Sequence, residues 1–179
     1  MTPYVSVDGD VMRIYGLTAV ILLASSIATA ADQGAWQQYR TKDLNFRASF
    51  PANPKETSSQ TGKVLVKGVM LDLNERAFAV LVSDIPGARH ESEKMTESRL
   101  DSARDSITAK FKLEIEKKIT IAVVLRGREI LASNDNGIFV RSRIFLVNGR
   151  LYQVMVAGPR DFVTGADAEK FLDSFVLTQ

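Results

Sequence analysis

The chain of 179 residues has no cysteine. That excludes disulfide cross-links, thiolate metal sites, thiol redox chemistry and a cysteine nucleophile. It also excludes an anchor built on a lipidated N-terminal cysteine. Histidine is almost as scarce, with His90 alone in "GARHESEK". A catalytic zinc site normally uses three protein ligands in fixed geometry, and His90 with Glu91 and Glu93 beside it is better read as an exposed loop histidine. A Ser-His-Asp triad has only this imidazole to draw on, and no G-x-S-x-G elbow surrounds any serine. No P-loop occurs, and no G-x-G-x-x-G follows a strand. "SNDNGIF" places Asp135 and Asn136 as a calcium loop would, but the twelfth position is Leu146 instead of a glutamate. No spacing selects a carboxylate pair for glycoside chemistry. No cofactor and no metal is expected.

Long apolar runs are lacking too. Leu17 to Ile27 is broken by Thr18, Ser25 and Ser26, and it is short of the roughly 20 residues that span a bilayer. Arg13 precedes it and Ala28-Thr29-Ala30 follows it. These features read as a secretory signal peptide over residues 1–30, cut before Ala31, with Met12 an alternative start because Asp8 and Asp10 do not suit a leader. The mature form, 31–179, is expected to be one domain with no membrane span, periplasmic or secreted. Removing the leader takes away Asp8, Asp10 and Arg13, so the formal charge rises from +2 to +3, too mild to imply nucleic acid. At 45% hydrophobic residues, burial alone can hold such a domain together.

Periodicity supplies the organisation. "AWQQYRTKD" suits a short helix or an irregular lead-in. Phe46, Ala48 and Phe50 alternate with polar residues as a strand does, and Pro51 and Pro54 close it. "KETSSQTGK" reads as a polar connection. "VLVKGVMLDL" and "RAFAVLVSDIP" form a hairpin around Asn74-Glu75. Leu100, Ala103, Ile107 and Phe111 recur at helical steps, capped by Ser92 or Thr96. "KLEIEKKITI" alternates again, with the charges of a wet face or sheet edge. "GREILAS" is a further strand, and Asn134 to Gly137 a turn. Ala168, Phe171, Leu172 and Phe175 form a last helical stripe, with Thr164 and Asp167 spaced as a capping box.

The hairpin "VRSRIFLVNGRLYQVMVAG" (140–158) turns at Asn148-Gly149, a type I′ signal. Its first arm, with the two residues before it, puts Ile138, Val140, Ile144 and Leu146 on one face and Phe139, Phe145 and Val147 on the other. Its second arm sets Leu151, Met155 and Ala157 against Tyr152, Val154 and Val156. Both faces are apolar, so both must be covered. The expected fold is α+β: an antiparallel sheet of about six to seven strands flanked by helices on each side, an α/β/α-type sandwich.

"FRASFPANP", "RSRIFLVNGRLYQVMVAG" and "KFLDSF", taken together, resemble the PsbP/Mog-type α/β sandwich, and more narrowly its bacterial exported members of unknown function. The likeness covers nearly all of the mature chain. It implies an antiparallel sheet flanked by helices. Characterised relatives are non-enzymatic: PsbP is an accessory subunit of photosystem II, and Mog proteins bind the GTPase Ran. The partner-binding residues of neither map onto this chain.

Arginine is the remaining feature. Arg126, Arg128, Arg141, Arg143, Arg150 and Arg160 crowd one stretch against Glu129 and Asp135. Arg141 and Arg143 share a strand face, and with Arg126 or Arg128 on a neighbouring strand they would make a basic patch for a carboxylate, phosphate or acidic protein. The alternative pairs them with helix acids such as Glu97 and Asp101; it is the preferred reading. The sequence names no reaction. It favours an exported, non-catalytic binding or accessory domain whose partner is an unknown protein or anionic ligand, with a hydrolase-type enzyme of unrecognised site as the alternative.

Overall fold

The computed structural model describes residues 36–61, 64–121 and 125–178; the leader and the cleavage site read from the sequence lie outside them. In chain order the elements are β1 (Gln37–Arg40), β2 (Phe46–Phe50), β3 (Lys55–Thr61), β4 (Val64–Asp72), β5 (Ala77–Asp84), α1 (Glu93–Thr108), β6 (Lys112–Ile121), β7 (Leu125–Ser133), β8 (Phe139–Val147), β9 (Arg150–Gly158), α2 (Arg160–Val163), α3 (Ala166–Ser174) and β10 (Val176–Leu177). A single 3-10 turn, Ala88–His90, precedes α1.

Seven strands form one antiparallel sheet in the order β3-β4-β5-β9-β8-β7-β6, and β1-β2-β10 form a second, small sheet. The β8–β9 hairpin lies inside the large sheet, flanked by β7 and β5. Asn148 and Gly149 both have positive φ, 49° and 78°, as a type I′ turn requires.

Each face of the large sheet has its own cover. On one face Phe145, Tyr152, Val154 and Val156 meet Phe171 and Leu172 of α3 and Phe46, Ala48 and Phe50 of the small sheet. Aromatic rings bind these layers: Phe171 lies edge-on to Phe50 at 5.0 Å and to Phe78 at 5.1 Å, and Phe175 stacks on Phe145 at 6.0 Å. On the other face Leu100 and Ala103 of α1 pack on Ile130, Ala132 and Ile144. The α+β class and the antiparallel sheet agree with the sequence. The covers differ from the expected flanking helices, which are few. The first face is closed partly by strands, because the period-two residues Phe46, Ala48 and Phe50 can present a flat apolar side only as a ribbon.

Three local expectations change. "KETSSQT" is strand β3, paired with β4 from Lys55↔Met70 to Thr61↔Val64. Its outer edge has no neighbour in the sheet and it needs no apolar alternation, so its pattern resembles a loop. Residues 37–40 are strand β1, paired with β2, where a helix or lead-in was expected. The C-terminal helix has Gly165 as its N-cap with no side-chain bond, so Thr164 and Asp167 form no capping box. Thr164 Oγ1 instead donates to the Arg160 carbonyl. At α1, Ser92 is the cap: its Oγ accepts from the Met95 N–H. The strand β6 is an edge, as its charges indicated.

Gly68 in β4 has a specific duty. A Cβ there would stand 2.0 Å from the Val80 carbonyl oxygen and 2.9 Å from Leu81 Cα, both backbone atoms of β5. Gly68→Ala is expected to lower unfolding free energy by about 1–3 kcal/mol, the usual cost of overpacking a fixed contact. Urea denaturation of both proteins measures it, and an unchanged midpoint would show that β4 and β5 separate without penalty.

Candidate functional site

The pleat decides how the four candidate arginines are grouped. In the β7–β8 register Glu129 lies opposite Arg143 and Leu131 opposite Arg141, so Glu129, Arg141 and Arg143 share the face under α3. Arg126 and Arg128 are offset by odd numbers along β7 and point to the α1 face. The sheet separates the two pairs, and the four guanidiniums do not converge on one anion.

Under α3, one carboxylate holds both β8 arginines. Glu129 Oε1 accepts from Arg141 Nε at 3.2 Å and Nη2 at 2.9 Å, and its Oε2 accepts from Arg143 Nε at 2.6 Å. Each arginine then reaches out to α3. Arg141 Nη1 donates to Glu169 at 2.6 Å, while Arg143 donates to Asp173 at 2.6 Å and to Glu169 at 3.2 Å. Burial alone would raise the Glu129 carboxyl, but Arg143 and Arg141 outweigh it and hold the group below the ordinary carboxylate range. Burial opposes the charge of both arginines as well, and their carboxylate partners more than restore it.

On the α1 face Arg128 is only 3% exposed. Its Nη2 donates to Glu97 and to Asp101, and its Nε sits 3.1 Å from Glu116. Nη1 is buried with no hydrogen-bond partner among the described residues. Arg104 of α1 grips Glu116 on β6 from the helix side, Lys118 adds a bond to Glu97 at 3.1 Å, and Arg126 pairs with Glu93. Hydrogen bonds from Arg128 and Lys118 keep the Glu97 carboxyl low.

The pairing of Arg128 with Glu97 and Asp101 is the arrangement read from sequence as the alternative to a patch. The partners Glu169 and Asp173 were missed. They stand four apart on α3 and so face one way, but only the docked helix shows which strand they meet. Arg150 bonds Asp84 at 2.9 Å and the Asp43 carbonyl at 2.9 Å. Arg160 pairs with Glu114 and lies over the Phe139 ring. His90 ends the 3-10 turn. Among the described residues no group of three His, Asp or Glu side chains is placed to hold a metal, and no helix is long and apolar enough to cross a membrane. Chemically, the two networks are clamps. An incoming anion would have to displace a protein carboxylate before it met Arg128, Arg141 or Arg143.

Neither a family model nor a curated protein matches this sequence. Among solved structures, the chain is similar to the solution structure of cyanobacterial PsbP (CyanoP) from Synechocystis sp. PCC 6803. The TM-score is 0.53 at 11% identity, over 86% of this chain and 98% of that one. The fold is PsbP-like. The likeness is one of architecture, and the PsbP-like fold here is fastened by the two clamps just described.

A depressed carboxyl pKa contributes stability that is present above the unfolded value and lost as pH falls through the folded one. For Glu129, Glu97 and Glu91, all lowered from 4.5, resistance to urea should therefore hold near neutrality and decline as pH drops below about 4.5. Glu129→Gln leaves two confined guanidiniums short of a counter-charge. It is expected to cost about 2–3 kcal/mol at pH 7, less than for a fully buried pair because the Glu129 side chain keeps 14% of its exposure. The variant should also show a shallower acid decline. Equal slopes in a pH series of urea midpoints would remove Glu129 from the account.

Proposed function

We propose that this protein is an exported, non-catalytic accessory domain that works by binding a partner. The observation that carries this reading is the use made of the sheet's most confined charged side chains. Arg128, Arg141, Arg143 and Glu129 are each committed to ion pairs that fasten the layers. The interior thus acts as a scaffold, and recognition falls to the outer surface. Two further features support the reading. The sequence opens with a leader pattern, from Arg13 through Leu17–Ile27 to Ala28-Thr29-Ala30. The PsbP-like architecture is also one that sequence resemblance ties to non-enzymatic relatives.

Two measurements test the reading. The full chain expressed in a bacterium should be recovered from the envelope fraction beginning at Ala31, as read by mass spectrometry of the intact protein. Retention of residues 1–30 in the cytosol would end the export reading. In the native host, covalent cross-linking within the envelope should yield a discrete adduct of fixed stoichiometry. Turnover of small-molecule esters, amides or glycosides by the purified protein would replace the accessory role with catalysis.

A further inference from the structure

With the sheet's arginines spent on internal pairs, the positive charge that remains available sits elsewhere. Some of it is scattered, as at Lys67, Lys117, Lys110 and Lys112, but five cations lie together at the end of the large sheet that carries the Asn148-Gly149 turn. Asp84 is in register with Arg150, so the end of β5 lies there. Arg150 Nη1 donates to the Asp43 carbonyl at 2.9 Å, which brings the β1–β2 turn to the same end. The Arg89 stem lies against Gly149, and the Arg126–Glu93 pair places the start of α1 there too.

Five cations at this end, Arg40, Lys42, Arg47, Arg89 and Lys94, are exposed and have no ion pair with any described residue. Arg40 and Arg47 even stand directly opposite each other across β1 and β2, a like-charge placement that costs stability. Of the carboxylates at this end, Asp84, Glu91 and Glu93 are already taken by Arg150, Arg99 and Arg126. Asp43 is the one without such a partner among the described residues. Two large apolar side chains are exposed among these cations: Met95, 48% exposed, beside Lys94, and Val176, 41% exposed and paired with Arg47.

We propose that this basic end docks on the surface of an anionic phospholipid membrane. The cations come from the β1–β2 hairpin, the 3-10 turn and the start of α1 and spread across an end face, so they match a plane of headgroup phosphates better than one ligand held at a point. Met95 and Val176 supply the shallow apolar contact that an interface takes up. Each cation near such a surface raises affinity about fivefold, and salt screens it. The proposal rests on the accessory-domain reading and deepens it by naming the surface on which the domain works.

The test is co-sedimentation of the processed protein with phosphatidylcholine vesicles, with and without about 30% phosphatidylglycerol. Binding is expected to the anionic vesicles only, and to be lost on going from about 0.05 M to about 0.5 M salt. Arg47→Glu combined with Arg89→Glu should weaken it roughly 100-fold or more, since two charges are reversed. Lys110→Glu with Lys112→Glu, near the opposite end where Lys112 pairs with Ser133, should bind as the wild type does and rule out mere net charge. Equal binding to neutral vesicles, or no loss in the Arg47/Arg89 variant, overturns the proposal. So does binding to soluble polyglutamate without binding to vesicles, which would assign the surface to an acidic protein. Cross-linking to a partner is read separately, so a failed vesicle experiment leaves the accessory reading standing and a failed accessory reading leaves the vesicle result interpretable.

Discussion

The two-sided hairpin β8–β9 is the constraint from which the rest follows. Ile144 and Phe145 are neighbours in sequence, point in opposite directions and are both fully buried. A ribbon with this pattern has no face to give to water, so the chain must supply two covers from elsewhere. It does so with α1 from the middle of the sequence and with α2, α3 and the small sheet from its two ends. That arrangement ties the N-terminal strands to the C-terminal helix: the Ser49 N–H donates to Ser174 Oγ at 2.8 Å, across nearly the whole described chain.

Apolar burial is non-directional. It explains why the covers are held but not where they sit. The ion pairs supply direction. Glu129 fixes Arg141 and Arg143 in the sheet, and those two arginines hold Glu169 and Asp173 one helical turn apart. On the reverse face Arg128 and Arg104 meet Glu97, Asp101 and Glu116 between α1, β6 and β7. Confining such charges costs desolvation that the pairing only offsets. Their contribution is therefore better described as registry, the selection of one docking of each helix among several that would bury similar area.

Architecture and role separate here on physical grounds. A PsbP-like fold recurs at 11% identity because an alternation of apolar residues, a few turns and two amphipathic helices suffice to define it, and many side chains satisfy those demands. What the fold does depends on which charges remain after the layers are fastened. In this chain such charges are spread over several strands, and five of them come together at one end of the sheet, on the β1–β2 hairpin, on the segment before α1 and at the start of α1.

Elements with strong local signals were legible in the amino-acid order alone. The Asn-Gly turn, the helices through Leu100 and Ala168 and the burial of both hairpin faces follow from backbone preference and periodicity, which act over a few residues; Phe111 and Phe175, read as the last residues of the two helical stripes, lie just past the helices that end at Thr108 and Ser174. That order left β1 and β3 unreadable, since their stability comes from hydrogen bonds to β2 and β4 and not from their own composition. That Arg126 and Arg128 face away from Arg141 and Arg143, and that Glu169 and Asp173 are the partners of the latter, emerged with the packed fold. Strand parity becomes a choice of face once register and neighbours are fixed, and a helix carboxylate acquires a partner only when the helix has docked. Those are contacts between residues far apart in the chain, and no local pattern encodes them.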